Sequence, residues 1–152
     1  MNRREYPALP SRLSRHDLGV LDGDTLDLQL SVGLGVFVER RVRLLGVNCP
    51  EIRKKSSAKE GSRFKKLTFA FVDYATRESS QHLVVRTEQN ERHDSFGRLL
   101  ADVYRMFLDA DGYVVEQESL AEFLLKNGAP VYIGIAATDR LMGYGRGPNV
   151  SR

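Results

Sequence analysis

The residues whose types and spacing can do chemistry begin in the stretch Val42-Arg43-Leu44-Leu45-Gly46-Val47-Asn48-Cys49-Pro50-Glu51-Ile52. It reads as an apolar strand that stops at Pro50, with an arginine inside it and an amide and a carboxylate at its end. A charged side chain on an apolar strand is costly unless it has a partner. The planar fork of Arg43 matches a phosphate better than any other partner. Glu51, beside a proline-fixed turn, is placed to hold a metal or to activate a water. The stretch therefore reads as half of a phosphodiester-cleaving site. That chemistry needs an in-line nucleophile, neutralisation of the phosphoryl oxygens and help for the leaving oxygen. A hard cation with oxygen ligands can polarise the phosphate, so no nucleophilic Ser, Cys or His is required. Cys49 has no histidine at a recognisable spacing to activate it. His16, His82 and His93 lack metal-ligand spacing and read as surface or loop residues.

The elements that must position these residues follow from periodicity. The chain has 152 residues, which predicts one domain with a core that needs no staples. Its net charge of +3 is small, so the distribution of charge matters more than the total. A single cysteine excludes an internal disulfide. The N-terminal stretch has no apolar h-region and no run approaches membrane-spanning length, which predicts a soluble, cytoplasmic protein without membrane contacts. Residues 1–14, charged and with two prolines, read as a flexible arm; 15–135 read as the folded domain and 136–152 as a tail. Leu18–Leu21 and the Asp22-Gly23-Asp24-Thr25 turn lead into Leu26, Leu28, Leu30 and Val32, which alternate with polar residues as in a half-buried strand. After Gly33-Leu34-Gly35, Val36, Val38, Val42 and Leu44 share a strand face opposite Arg41, Arg43, Leu45 and Val47. These three strands form an antiparallel meander.

Residues 57–76 predict a helix, opened by a Ser57–Glu60 capping box and carrying Phe64, Leu67, Thr68, Phe71, Val72 and Ala75 on one stripe. The stretch 53–66 holds seven basic residues against Glu60 alone, either a solvated face or a landing surface for a polyanion. Leu83–Val85 and Leu99–Phe107 read as further strands. Ser119–Glu122 is a second capping box, opening a helix that ends at Gly128. Five strands with a long helix after the third and a shorter one after the fifth predict an α+β fold built on a small closed sheet, an OB-like barrel.

Three stretches, in order, resemble the staphylococcal-type nucleases of the thermonuclease family: Asp22-Gly23-Asp24-Thr25, Arg43 to Glu51, and Asp94-Ser95-Phe96-Gly97-Arg98, with Leu124-Leu125-Lys126-Asn127-Gly128 matching the family's helix end. The resemblance spans roughly residues 17–133. It implies an OB-type barrel, a calcium ion, and hydrolysis of DNA and RNA phosphodiesters. Contacts that grip phosphates rather than base edges predict little sequence preference, and the chain is read as a monomer. It implies that Asp24 ligates the metal, with Asn48 and the backbone carbonyl of Cys49 beside it. It implies catalytic roles for Arg43 as phosphate clamp, Glu51 as general base or water-orienting group, and Arg98 at the developing charge. Phe96 stands where a nucleotide-contacting tyrosine is usual, and Tyr132 matches the base-pocket tyrosines loosely. Lys54 and Lys55 are the basic residues nearest the implied nucleic-acid path.

Asn48 departs from the family pattern, which has a second calcium-ligating aspartate there. Asn keeps an oxygen that calcium accepts but loses a charge, which predicts weaker calcium binding or the use of another divalent cation. A binding module that has lost catalysis is the alternative, and Asn48 with the 53–66 basic run is its signature. Each site residue also has a structural reading. Asp24 fits a simple turn, Arg43 an ion pair with Glu39 or another acid, Glu51 a surface carboxylate and Arg98 an ordinary strand start.

Overall fold

The computed structural model describes residues 4–88 and 91–132. Seven strands and two helices occur in the order β1 (Arg4–Pro10), β2 (Val20–Asp22), β3 (Thr25–Ser31), β4 (Phe37–Leu44), α1 (Ala58–Arg77), β5 (Gln81–Thr87), β6 (Leu99–Leu108), β7 (Val114–Ser119) and α2 (Leu120–Lys126). The fold is α+β, one mixed sheet with two helices. Strands pair in the order β1-β5-β6-β4-β3-β2, β1 pairs also with β3, and β7 is added to β6. Among the described residues no helix is long and apolar enough to cross a membrane.

The predicted meander is present as β2, β3 and β4, all antiparallel. The expected arm is not free over 4–10: these residues form β1, which pairs with β5 from Arg4 to Ala8 and with β3 from Ala8 to Pro10. Only Ala8 of this strand is buried, so the strand is fixed by main-chain pairing on two sides rather than by an apolar face. β7 raises the strand count further. It pairs only with β6 and leaves Val114 and Val115 exposed, so it carries no buried alternation either. The expected five strands are thus seven, and α2 follows the seventh. Of the apolar segment expected at Val131–Ile133, Val131 bridges Val47. Ile133 and the 136–152 tail lie outside the described residues.

β4 is the strand that gathers the site. It pairs antiparallel with β3, setting Thr25 opposite Arg43, and parallel with β6, setting Val42 opposite Leu99 and Arg43 opposite Leu100. Asp24, at the start of β3, and Arg98, just before β6, therefore arrive beside Arg43 from either side. The core under this junction consists of Leu26, Leu28, Val42, Leu44, Val85 and Val103 with Phe64, Phe71 and Val72 of α1. Burial of each such large side chain contributes about 1.5–3 kcal/mol. The polar face of β3 is buried as well: Gln29 Nε2 donates to the carbonyl of Pro10 at the end of β1, at 3.2 Å, and Asp27 lies under the segment that follows, accepting the Ser14 hydroxyl at 2.7 Å.

Thr68 is the one polar residue on the buried stripe of α1. Its hydroxyl donates to the Gly23 carbonyl at 2.6 Å and so ties α1 to the Asp22–Asp24 turn. Gly23 itself is required because a Cβ there would lie 2.7 Å from Cys49 Sγ and 2.8 Å from Phe64 Cβ. Thr68→Val keeps the shape but strips a buried carbonyl of its donor. It is expected to destabilise the protein by about 1–3 kcal/mol, read as a fall in the urea midpoint at constant m-value.

Candidate functional site

Asp24 is 6% exposed, and its carboxylate is tied into the chain on both oxygens. Oδ2 accepts the backbone N–H of Cys49 at 2.8 Å and lies 3.5 Å from Arg43 Nη2, while Oδ1 accepts the Thr25 hydroxyl at 3.0 Å. Arg43 answers from β4. Its Nη1 donates to the carbonyls of Leu44 and Val47, both at 2.8 Å, and its Nη2 to Asn48 Oδ1 at 3.1 Å. Its ion-pair partner is Asp24 rather than Glu39, which instead accepts the Ser11 hydroxyl. Of the guanidinium's five donors, the Nε–H takes part in none of these bonds. The Tyr132 ring lies beneath the guanidinium, 5.3 Å from its carbon. Asn48 is pinned in turn, its backbone N–H donating to the Pro130 carbonyl at 2.9 Å.

The sequence runs directly from this knot into Pro50 and Glu51. The close approach of that segment to α1 depends on Gly61, where a Cβ would lie 2.8 Å from the Pro50 carbonyl oxygen. Ser57 holds the N-cap position of α1, but its hydroxyl does not cap the helix as the 57–60 pattern predicts. It donates instead to the Glu51 carbonyl at 2.7 Å, so the capping residue is spent on fixing Glu51. The second capping box does close, with Ser119 Oγ accepting the Glu122 N–H at 3.2 Å. The Glu51 carboxylate faces outward, 62% exposed and 3.8 Å from Lys54 Nζ. An ion pair this exposed is weak and leaves the carboxylate available.

Arg98 is held by a local turn. Asp94 Oδ1 accepts the backbone N–H groups of Phe96 and Arg98, each at 2.9 Å, and Oδ2 accepts Arg98 Nε at 2.6 Å. Burial opposes ionisation of Asp94, but the bonds from Arg98 and Phe96 outweigh it and hold its pKa below the ordinary aspartate value. Both terminal nitrogens of Arg98 are outside these bonds. Asp24, Arg43, Asn48, Cys49, Glu51, Phe96 and Arg98 all border one cleft of about 500 Å³. Tyr132 meets Arg43 at its edge, and Phe96, 82% exposed, lies under Arg98. Lys54 joins only through Glu51, and Lys55 is exposed without bordering the cleft. Within the basic run, Arg53 borders the cleft, whereas Arg63 pairs with Glu60 and donates to the Asn127 carbonyl at 3.0 Å.

Two charged residues of this cleft have no role in the sequence-based assignment. Asp22, legible only as the first residue of a turn, carries a pKa raised by burial and then by the neighbouring charge of Asp24. Arg41 borders the same cleft and is gripped by Asp27 through Nε at 2.7 Å and Nη2 at 3.0 Å. The Cys49 thiol is buried, and burial pushes its pKa up to about 12, which disfavours a thiolate nucleophile.

Among the described residues no three His, Cys, Asp or Glu side chains converge to form a metal cluster. The donors that do border the cleft are the carboxylates of Asp22, Asp24 and Glu51 and the amide oxygen of Asn48. All are oxygens, as hard cations require, and a cation would relieve the repulsion between Asp22 and Asp24. So sparse a protein donor set fits a divalent cation that retains part of its water shell.

A family model described as staphylococcal nuclease homologue matches residues 41–141. No curated protein matches the chain.

The raised pKa of Asp22 makes a signed prediction. Between the ordinary aspartate value and the higher folded value, the folded state binds more protons than the unfolded state, so stability falls as pH rises through that window. In EDTA, Asp22→Asn is expected to remove this slope and to be more stable than the native protein at neutral pH. It is also expected to gain less stability on addition of a divalent cation. Urea titrations over a pH series, with and without the cation, measure all three.

Proposed function

Because the chain belongs to the staphylococcal nuclease homologue family, whose members are nucleases or nucleic-acid-binding proteins, we propose that it is a divalent-metal-dependent nuclease. Its substrates are DNA and RNA, cut with little sequence preference. The observation that carries this reading is the single cleft shared by two arginines from neighbouring strands, a buried aspartate and an outward-facing glutamate. The strand pairings, which return from β3 to β1, support an OB-type barrel as its scaffold.

Arg43 and Arg98 grip the phosphoryl group from two sides, Arg43 through its remaining Nε edge and Arg98 through its terminal nitrogens. Each contact strengthens as charge develops and can contribute ~3 kcal/mol, the magnitude of one oxyanion donor. Glu51 orients the attacking water and takes its proton. Asp24, Asn48 and the Cys49 carbonyl, joined by Asp22, would hold the cation. When bound, that cation, calcium or another divalent ion, polarises the phosphate and lowers the pKa of nearby water. Phe96 and Tyr132 offer exposed rings on which bases stack, and Lys54 and Lys55 approach the flanking phosphates. Such contacts grip backbone rather than base edges, hence the low sequence preference.

A second reading, a nucleic-acid-binding module with weakened catalysis, is favoured by Asn48, whose oxygen is already taken by Arg43. Incubation of single-stranded DNA and RNA with calcium, magnesium or EDTA separates the two. The nuclease reading expects cleavage with a divalent cation and none with EDTA. Binding without cleavage in any metal would contradict it and support the module. Glu51→Gln is expected to lower kcat by about 10²–10⁴-fold, as loss of a general base does, while oligonucleotide affinity measured by anisotropy stays unchanged. Asn48→Asp restores a ligand charge, so calorimetry should find calcium bound more tightly than by the native protein.

A further inference from the structure

A second cleft, of about 670 Å³, adjoins the first and shares Arg41, Phe96 and Arg98 with it. Its far wall is the segment Ser11–His16, which crosses the polar face of β3, and its floor includes Arg40 and Arg41 of β4. We propose that this cleft is an accessory subsite for the phosphates of a single polynucleotide strand continuing beyond the bond to be cut. The proposal rests on the nucleic-acid reading of the first cleft and extends it.

Charge is the first argument. Four arginines border the cleft (Arg15, Arg40, Arg41 and Arg98) against two carboxylates, Asp27 and Glu39. Both carboxylates are turned to partners in the chain. Asp27 receives Arg41 on both oxygens and the Ser14 hydroxyl at 2.7 Å, and Glu39 receives the Ser11 hydroxyl. Of the arginines, Arg41 is paired with Asp27 and Arg98 with Asp94, and the other two are less committed. Arg40 Nη1 donates only to the neighbouring Glu39 carbonyl, at 2.8 Å, and Arg15 is exposed with no ion pair among the described residues. The uncompensated charge on this wall is positive, as a groove that tracks a phosphate backbone requires.

Construction is the second argument. The wall is a folded turn whose shape is set by its own side chains. Ser11 Oγ accepts the N–H groups of Leu13 and Ser14 at 3.0 and 3.1 Å, and Ser14 Oγ accepts that of His16 at 3.1 Å. Ser11 N–H donates to the Asp27 carbonyl at 3.1 Å, anchoring the turn to β3. Continuity is the third. Arg41 stands between the clefts with Nη1 outside its Asp27 bonds, and Phe96 and Arg98 form the opposite lip of both. A strand whose phosphate lies at Arg43 and Arg98 can leave the first cleft past Arg41 without crossing a carboxylate that lacks a partner.

The test is a comparison of labelled oligothymidylates two and eight nucleotides long. Binding is measured by anisotropy over a salt series, in EDTA and again in calcium on the Glu51→Gln background. The native wall is expected to give the octamer an affinity advantage that Arg15→Ala/Arg40→Ala reduces roughly tenfold, with the slope of log K against log salt shallower by up to about 1.4, or 0.7 for each single-strand phosphate contact. Dinucleotide affinity should be the same in both proteins, and Arg15→Lys/Arg40→Lys should recover most of the advantage. An octamer advantage and salt slope that survive the alanine pair would overturn the subsite while leaving the nuclease reading intact. Failure of the native protein to bind any oligonucleotide, in either condition, would overturn the nucleic-acid reading and the subsite with it.

Discussion

The contact between Asp24 and Arg43 is the constraint on which the rest of the site depends. A carboxylate and a guanidinium this buried survive only if their remaining donors and acceptors are satisfied. The chain does this with its own backbone: Cys49 N–H and the Thr25 hydroxyl on the aspartate, the Leu44 and Val47 carbonyls and the Asn48 amide on the arginine. The same bonds fold residues 44–49 back over the end of β4 and deliver Glu51 to the cleft. Arg43 is thus the pin of a turn and, in the proposed mechanism, a phosphate ligand as well. An arginine bonded on so many sides is preorganised, so little conformational freedom is lost when a substrate binds.

The metal side of the site shows the same economy. Asn48 carries no charge where the resemblance implies a ligand aspartate, and its amide oxygen accepts from Arg43. The pKa of Asp22 is raised first by its burial and then by the neighbouring charge of Asp24. In the proposed metal site, Asp22 and Asp24 would supply the carboxylates and Asn48 a neutral oxygen. On the proposed function, the missing charge weakens affinity for the ion, while Arg43 stays fixed by the Leu44 and Val47 carbonyls and Arg98 by Asp94.

Much of this was legible in the residues because the signals are local. Alternation in 26–32 and the helical stripe of Phe64, Thr68 and Phe71 mark β3 and α1, and both phenylalanines are core. The Arg43 to Glu51 stretch contains its own turn, so its clustering follows from a few bonds. What depends on partners distant in sequence was not legible. β1 has almost no buried side chains and exists because β3 and β5 both pair with it. Ser57 looks like a cap, yet its hydroxyl accepts from no helix N–H and donates to the Glu51 carbonyl instead. The polar face of β3 looked solvated, but the Ser11–His16 turn covers it, and Arg41 is drawn to Asp27 there. Asp22 reads as a turn residue until the fold sets it beside Asp24.

The most direct measurement of the central claim is a crystal structure of the protein with a nucleoside bisphosphate and calcium. The account predicts one phosphate held jointly by Arg43 Nε and the terminal nitrogens of Arg98, with the bonds from Arg43 to Leu44 and Val47 unbroken and the ion beside Asp24. A phosphate bound away from both arginines, or one that reaches Arg43 only after its bonds to Leu44 and Val47 are broken, would contradict it.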